Sequence, residues 1–508
     1  MARLADIARP ATADEAGDRA ITRRIILIAL AFKIFIALIL PLGLDEAYAI
    51  AVARDYSLSF FDHPPLSFWL PVAMADLTGL EYGIIYRLPF LAAGVATTWI
   101  MFLIGREIGG ARVGALTALL YAAAPFFLVS AGVLAVPDGT LNLFSALSVL
   151  ALVRIARAGD KPQPGLWLLA GLGLAGALAS KYQAAWIPVA TLMFMLTSPV
   201  GRRWFLQPWP WIGVAVGLVG LLPVILWNMQ HDWISFGFHT SRAGGGLRPA
   251  NLVWMLFGQA LFLLPMALWA SIRGLWPALC DRTRAAPLLL ALIALGPILM
   301  FNYVYFTSTR SHAHWAMPGW QFALPLAALW LSGRGEASLS RLLRWMRLLL
   351  VVIWAPLVVL VIHANTGILT RPFHEKAPDW DNTLSIFDFG ELKAALADRG
   401  LWQDSDLFMA SSWAFGGILD TFLGGEKPMR IADRNGAHHF VFLADDTATG
   451  QALYMEPALL KDRDATDQRI LAAARKLDPG AELLPPIMLK RGGRDYVAVS
   501  LVRLVVND

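Results

Sequence analysis

The chain has 508 residues, of which 57% are hydrophobic and only 16% are charged. Because soluble domains carry about 25% charged residues, this composition excludes an ordinary soluble protein and indicates an integral membrane protein. The formal net charge of +5 does not predict nucleic-acid binding, because the basic residues fall in short loops without interleaved aromatics. The single cysteine, Cys280, excludes an intramolecular disulfide and a cysteine-based zinc site.

The first apolar run predicts a membrane span and its orientation. Arg23 and Arg24 precede Ile25–Leu42, which is apolar apart from Lys33. The positive-inside rule places this basic flank, and with it residues 1–22, in the cytoplasm. We expect a retained span rather than a signal peptide, because many further spans follow and no small-residue cleavage site is evident.

Later apolar runs predict further spans, each roughly as long as a helix needs to cross a ~30 Å core. With the first run they give about eleven spans, which places the C-terminus outside. The loop charges agree, because the loops assigned to the cytoplasm are richer in arginine than the outer loops. The runs are Ile84–Ile104, Val113–Ala131, Leu141–Val153, Leu166–Ala179, Ala184–Leu196, Trp211–Leu226, Leu252–Ala270, Pro287–Tyr305, Trp315–Leu331 and Leu348–His363.

The composition changes at about Asn365, after which the chain is mixed and charged and has no further apolar span. A segment of this length is enough for one small α/β domain. We therefore predict a cytoplasmic tail over 1–22, a transmembrane domain over 23–364 and a periplasmic α/β domain over 365–508. In the last of these, the helix-like stretches are Glu391–Asp398 and Asp467–Lys476, and the strand-like runs are Asp406–Ala410, Phe440–Leu443 and Tyr496–Leu504.

The stretch Leu44–Pro65 follows the first span and opens with an acidic pair, Asp45 and Glu46. It closes with Asp62 and His63, which precede two prolines. Carboxylates at the edge of a membrane segment are costly to place and are functional candidates by default. By the predicted topology this stretch lies outside, and its semi-apolar continuation to Gly83 is consistent with short helices along the interface.

The other outer loops also carry polar residues. Carboxylates, cations and aromatics are thus gathered at one membrane face, which suits a substrate with its tail in lipid and a charged head at the interface. We single out Asp138, Lys181, Tyr182, Asn228, His231, Arg310 and His314 as candidate substrate-binding residues, together with His63.

A physical mechanism follows if the charged head is a phosphate. Lys181, Arg310, and Arg242 or Arg248 then have the charge to neutralise it and to stabilise a phosphate leaving group. A carboxylate at Asp45 has the chemistry to take the proton from an attacking hydroxyl. A membrane-edge site with poor solvent access keeps such a base competent. Together these steps displace a lipid phosphate from the anomeric carbon of a sugar.

These motifs resemble those of the GT-C glycosyltransferases, in the bacterial branch with protein mannosyltransferases, lipid A aminoarabinose transferase and the rhizobial galacturonosyltransferases. The resemblance runs in order over roughly residues 20–330. It implies a GT-C fold, a polyprenyl-phosphate-linked sugar donor and a catalytic first-loop aspartate, a role that falls to Asp45. The matching stretches are Asp45–Tyr48, His63–Leu66, Pro137-Asp138 with Leu141 and Phe144, Ser180–Tyr182, Trp227-Asn228 with His231–Trp233, Gln259, and His314-Trp315.

Each candidate also has a purely structural interpretation. Glu46 has either a supporting catalytic role or the role of an acidic charge at a helix N-terminus. His63 is either on the substrate side or part of a rigid turn. Asp138 is equally suited to be an N-cap, and Lys181 to reach lipid phosphates from the end of a span.

The spacing of His312 and His314 is compatible with a metal, but two histidines are too few to specify a site. We favour hydrogen-bonding roles for them. We expect no metal site and no required cofactor, although a divalent metal remains possible.

The function predicted from the sequence is an inverting glycosyltransferase of the bacterial inner membrane, with Asp45 as the general base. It would move a monosaccharide from a polyprenyl-phosphate donor to a cell-envelope acceptor: lipid A or lipopolysaccharide core, a wall glycan or a protein. The main alternative is a transporter or flippase of a lipid-linked sugar, which predicts broken or charged helices near the midplane. A third hypothesis is a non-catalytic scaffold whose outer domain binds envelope material.

Overall fold

The helices and strands below come from a computed structural model. It describes residues 15–159, 161–241, 246, 248–308, 311–334, 336–370, 381, 383–433 and 438–507.

The described chain is mainly helical, as predicted, and carries one small sheet near its C-terminus. The helices are α1 (Glu15–Ile39), α2 (Leu44–Ala53), α3 (Leu66–Thr78), α4 (Gly83–Gly109), α5 (Ala111–Ala123), α6 (Pro137–Ala158), α7 (Pro164–Leu178), α8 (Trp186–Thr197), α9 (Pro199–Trp204), α10 (Pro208–Leu218), α11 (Leu222–Gln230), α12 (Ile234–Ser241), α13 (Pro249–Leu263), α14 (Pro265–Cys280), α15 (Ala285–Thr307), α16 (Met317–Ser332), α17 (Glu336–Thr366), α18 (Leu392–Asp398), α19 (Leu401–Asp404), α20 (Trp413–Leu423) and α21 (Arg463–Ala474). The strands are β1 (Leu407–Ala410), β2 (Met429–Ile431), β3 (Gly450–Leu459), β4 (Glu482–Arg491) and β5 (Arg494–Val506).

Several of these helices have the length and apolar composition of membrane spans. Among the described residues, five pass this test, and the number rises to seven if each of two bent helix pairs is one span. Other apolar helices, such as α7 and α8, are shorter. The chain is therefore an integral membrane protein. The number of about eleven spans stays a prediction.

One predicted span is not a continuous helix. The run Leu252–Ala270 is broken between α13 and α14, whose axes differ by 100°. The break has a local cause, because Leu264 adopts a φ of 72° and precedes Pro265, which cannot donate a helical hydrogen bond. The hydropathy of the run is unchanged by this break, so the sequence pattern alone did not reveal it.

The contacts of the chain divide it into two compact units. The first comprises Met1–Phe35, Leu58–Ser67 and Arg87–Ala355, and the second comprises Ile36–Ser57, Phe68–Tyr86 and Pro356–Asp508. In the first unit, buried residues of α5, α6, α8, α15 and α16 form one large apolar core. The domain boundaries at 22/23 and 364/365 stay a prediction.

The second unit contains a five-stranded mixed sheet in the order β2-β1-β3-β5-β4. β1 pairs in parallel with β2 and β3, whereas β5 pairs antiparallel with β3 and β4. Helix α21 covers the sheet through Ile470 and Ala474, which pack in an apolar core with Leu407, Tyr454 and Val502. This confirms the predicted C-terminal α/β fold.

The β4–β5 hairpin turns at Gly492 and Gly493, both with positive φ, the backbone conformation that two-residue hairpin turns require. The predictions of strands over Asp406–Ala410 and Tyr496–Leu504 correspond to β1 and β5. The strand prediction for Phe440–Leu443 is wrong, because His439–Phe442 forms a 3-10 turn. A short apolar run has no periodicity that distinguishes the two structures.

Candidate active site

The acidic pair lies in the first turn of α2, in the second unit. Glu46 is buried, and its Oε2 accepts a hydrogen bond of 3.1 Å from the backbone N–H of Gly43. Asp45, one residue earlier, is exposed. The two carboxylates therefore differ: Glu46 caps the helix and fixes its start, whereas Asp45 is accessible to a ligand. The alternative of a helix N-terminal role for Glu46 is supported by this bond.

The remainder of α2 is buried over its whole length from Glu46 to Ala53. In its sequence AYAIAVA, Ala47 and Ala51 are four positions apart and lie on the same face, where small side chains allow another helix to approach closely. Tyr48 packs edge-on against Trp413, with ring centroids 5.0 Å apart. The helix that carries Asp45 is thus embedded in the second unit.

Asp138 and Lys181 form a buried ion pair in the first unit. Asp138 is the second residue of α6, where an acidic side chain is favoured by the helix dipole. Lys181 immediately precedes the 3-10 turn Tyr182–Ala185. Its Nζ lies 3.0 Å from both carboxylate oxygens of Asp138, and both side chains are largely shielded from solvent. The structure brings these two predicted residues together.

His314 belongs to the same electrostatic environment. It lies in the 3-10 turn Ala313–Ala316, and its ring stacks on His312 with centroids 5.4 Å apart. Burial lowers the pKa of His314 to about 4; Asp138 opposes this shift, whereas Lys181 and His312 reinforce it. The imidazole of His314 is therefore neutral rather than cationic at physiological pH.

His63 lies in a second polar group of the first unit. Its Nδ1 lies 2.8 Å from Oδ2 of Asp62, and His239 Nε2 donates a 3.0 Å hydrogen bond to the carbonyl oxygen of Asp62. The ring of Tyr182 packs edge-on against His239 at 5.0 Å. His63 is thus connected to Tyr182 through Asp62 and His239. His239 was not predicted as a site residue, because no motif surrounds it in the sequence.

Asn228 and His231 both contact residues of their own turn. The side chain of Asn228 donates to the Val224 carbonyl and accepts from the Ser235 N–H, at 2.9 and 3.2 Å. His231 stacks on Trp227, with ring centroids 4.0 Å apart. These bonds support a positive-φ turn at Asp232 and Trp233. For Asn228 in particular the contacts indicate turn formation, and a role in substrate binding stays a prediction.

Three further basic residues are phosphate ligands predicted from the sequence: Arg310, and either Arg242 or Arg248. Arg310 and Arg242 lie outside the described residues. Arg248 is exposed, and its backbone N–H donates to the Phe306 carbonyl. Within the described chain, no group of three or more His, Cys, Asp or Glu side chains has the geometry to hold a metal ion.

The fold identifies the structural class. The chain superposes on ArnT from Cupriavidus metallidurans bound to undecaprenyl phosphate with a TM-score of 0.61, over 97% of this chain and 98% of that chain, at 17% identity. This likeness confirms the GT-C fold expected from the motifs.

Comparisons of sequence point to the same class. The family model described as dolichyl-phosphate-mannose-protein mannosyltransferase matches residues 62–227, a span that contains His63, Asp138 and Lys181 but not Asp45. Two proteins of Rhizobium johnstonii are also similar. Lipid A galacturonosyltransferase RgtD is 24% identical over 299 residues, which are 56% of this chain and 60% of that protein. Lipopolysaccharide core galacturonosyltransferase RgtA is 26% identical over 252 residues, 47% of this chain and 48% of that protein. The chain thus matches roughly half to three-fifths of the length of these relatives.

Proposed function

We propose that the chain is an inverting glycosyltransferase that uses a polyprenyl-phosphate-linked sugar as donor. It transfers one monosaccharide to a cell-envelope acceptor: lipid A or lipopolysaccharide core, a wall glycan or a protein. Similarity to RgtD, to RgtA and to ArnT bound to undecaprenyl phosphate supports this chemistry. The first two of these proteins favour the lipopolysaccharide acceptors.

The observation that carries the proposal is the difference between Asp45 and Glu46. Glu46 is buried and bonded to the helix start, whereas Asp45 is exposed in the same turn. A general base needs access to the proton that it removes. Of the two carboxylates, Asp45 has that access. Glu46 is explained by its structural role, because it accepts a hydrogen bond from the Gly43 N–H at the start of the helix.

The proposed reaction is a single displacement. The acceptor hydroxyl loses its proton to Asp45 as its oxygen bonds to the anomeric carbon. The bond between that carbon and the phosphate oxygen breaks, and polyprenyl phosphate leaves with the electron pair. Because attack and departure occur on opposite sides, the anomeric configuration is inverted.

Cationic and hydrogen-bonding groups of the first unit are proposed to bind the leaving phosphate. Lys181 offers its ammonium, oriented by Asp138, and neutral His314 offers a hydrogen bond. Arg310, His63, Tyr182 and His231 are proposed as further contacts from the same set of outer loops. The proposed reaction does not require a divalent metal. An assay with and without a chelator tests whether transfer depends on one.

We place the protein in the bacterial inner membrane. The N-terminus is proposed to face the cytoplasm and residues 365–508 the periplasm, because the arginine-rich loops alternate with the polar outer loops. In this orientation Asp45 and Lys181 both belong to periplasmic segments. Accessibility of single cysteines to a membrane-impermeant reagent, in a variant without Cys280, tests the orientation.

A flippase of lipid-linked sugar remains the alternative function. Buried Lys33 in α1 favours it, since a charged residue inside a span can mark a transport path. The alternative does not require a base at Asp45. The Asp45→Asn variant therefore distinguishes the two proposals.

The test uses a strain from which the gene is deleted. This strain is compared with the same strain complemented with the wild-type protein, with Asp45→Asn or with Asp55→Asn. Asp55 is a matched control, because it is another exposed aspartate of the same loop. Lipid A, core oligosaccharide, wall glycan and glycoproteins are extracted and analysed by mass spectrometry. A hexose-, pentose- or uronate-sized mass lost in the deletion and in Asp45→Asn, but present with Asp55→Asn, supports the transferase and identifies the acceptor. Full restoration by Asp45→Asn contradicts it and favours the flippase.

A further inference from the structure

The helix that carries Asp45 packs against α20 of the C-terminal sheet domain, within the second unit. Gly417 of α20 lies directly against the backbone of α2 at Tyr48. A Cβ atom at this position would lie 2.6 Å from Cα and 2.9 Å from N of Tyr48. Both obstructing atoms belong to the backbone of α2, so no side-chain rotation relieves the overlap. The separation of the two helices therefore depends on glycine at 417.

Polar bonds tie the same turn of α2 to the domain. Thr421, one turn after Gly417, donates a 2.8 Å hydrogen bond from Oγ1 to the carbonyl oxygen of Ala47. The backbone N–H of His439 donates a 2.8 Å hydrogen bond to Oη of Tyr48. Both bonds are buried, so losing either partner leaves a polar group unsatisfied. They anchor residues two and three positions beyond Asp45.

The far end of α2 is also held. Arg54 follows the helix, and its guanidinium lies 3.6 Å from Asp420 of α20. It also makes two hydrogen bonds, of 3.0 and 3.1 Å, to the carboxylate of Glu81. With both ends attached, α2 has little freedom to slide or tilt against α20. The position of its first turn is thus set by the C-terminal domain.

We propose that α20 positions the base: Gly417 and Thr421 fix α2 so that Asp45 reaches the acceptor hydroxyl. This inference rests on the proposed function. It assigns to the C-terminal domain a part in the chemical step, through the placement of Asp45 rather than through contact with substrate. Gly417 and Thr421 are positioning residues. A displacement of about 1 Å at a reacting group lowers rates by about 100-fold, so modest movement of α2 has a measurable effect.

The main test uses Gly417→Ala in the full-length protein, with Gly416→Ala as the matched control. A Cβ at Gly416 would meet Cδ1 of Ile431, the mobile end of a side chain, and not α2. We expect kcat to fall about 10- to 100-fold in Gly417→Ala, with KM and the Kd for undecaprenyl phosphate within about twofold. Amide hydrogen exchange in α2 rises in this variant and not in Gly416→Ala.

A second pair of variants keeps the test decisive if Gly417→Ala does not fold. Thr421→Val removes the hydrogen bond to Ala47 with little change in volume, and Thr421→Ser retains it. We expect a lower kcat for Thr421→Val and recovery for Thr421→Ser. If these substitutions act through Asp45, they add little further loss in an Asp45→Asn background.

Two failures are distinguishable. Wild-type protein that transfers no sugar overturns the proposed function, whatever hydrogen exchange shows. Active wild type with equal kcat values for Gly417→Ala and Gly416→Ala overturns the positioning role alone. When Gly417→Ala does not fold, equal kcat values for Thr421→Val and wild type have the same meaning. A full additional loss in the Asp45→Asn background also overturns it, because the substitution then acts elsewhere.

Discussion

Lys181 approaches both carboxylate oxygens of Asp138 at 3.0 Å, in surroundings that exclude most solvent. A buried pair of this kind adds little net stability over an apolar pair, but removing one partner leaves the other charge uncompensated. The geometry therefore separates two roles of Lys181, its support of Asp138 and its proposed contact with phosphate. Variants that remove one charge or both can measure each role.

We predict that Lys181→Met alone destabilises the protein by about 3 kcal/mol and abolishes transfer. The double variant Lys181→Met with Asp138→Asn regains most of the stability, because no unpaired charge remains. It does not regain activity if Lys181 binds the leaving phosphate. Unfolding in detergent and the transfer assay provide the measurements. Recovery of both properties in the double variant would show that the pair is purely structural.

Glu46→Gln and Asp45→Asn are isosteric substitutions in the same turn with different predicted effects. The side-chain amide introduced by Glu46→Gln retains an oxygen that accepts from the Gly43 N–H, so we expect only a small change in stability and most of the activity. Asp45→Asn retains the fold but lacks the base, so we expect kcat to fall by about 100-fold or more. Binding of undecaprenyl phosphate, measured in parallel, should be unchanged in both. Equal losses in the two variants would mean that Glu46 also takes part in the reaction.

The fold class could be predicted from the sequence, because apolar spans and the alternation of helix-like and strand-like segments are local patterns. Asp138 and Lys181 could be selected for the same reason, since each lies in a short segment between two apolar runs. Their pairing could not be predicted, because 43 positions separate them and only the packing of α6 and α7 brings them together.

The proposed role of α20 could not be predicted from the sequence pattern either. Gly417 lies in a stretch, Trp413–Leu423, that reads as an ordinary apolar helix. Its closeness to Tyr48 is a property of two segments more than 360 positions apart. The reason for a glycine becomes visible only when the backbone it faces is known. The break at Leu264 is a similar case, since hydropathy carries no information on φ.

Asp420 gives a prediction for stability against pH. Burial raises the pKa of Asp420 to about 7; Arg54 opposes the shift, but Asp445, Glu81 and Asp55 add to it. The folded state therefore retains a proton that the unfolded state releases at about pH 4. The stability that this group contributes is complete below that pH and is lost as pH rises towards 7.

The variant Asp420→Asn removes this dependence. We expect its unfolding temperature, relative to wild type, to rise steadily between about pH 4 and pH 7. The comparison is made in one detergent, so that other titrating groups contribute equally to both proteins. A difference that does not change over this range would contradict the raised pKa. The Asp76→Asn variant serves as the control, because Asp76 is an exposed aspartate of the same unit, whose Oδ2 accepts a 2.8 Å hydrogen bond from Tyr56.

For His314 we predict that stability changes with pH in the direction opposite to that for Asp420. Its pKa is lowered to about 4, mainly by burial, whereas the unfolded chain has an ordinary histidine pKa of about 6.5. Between these values the unfolded state binds the proton and the folded state does not. The contribution of neutral His314 is therefore complete above about pH 6.5 and is lost as pH falls towards 4.

We expect His314→Gln to weaken the acid destabilisation of the protein over this range, measured as the change of unfolding temperature with pH. His231→Gln is the control, since this histidine is partly exposed and stacks on Trp227. The pH profile of kcat should show no inflection from His314 between about pH 6 and 8, because the group stays neutral there. An inflection near pH 6.5 that His314→Gln removes would mean that the imidazole titrates at its ordinary pKa of about 6.5, and that a cation acts at this position.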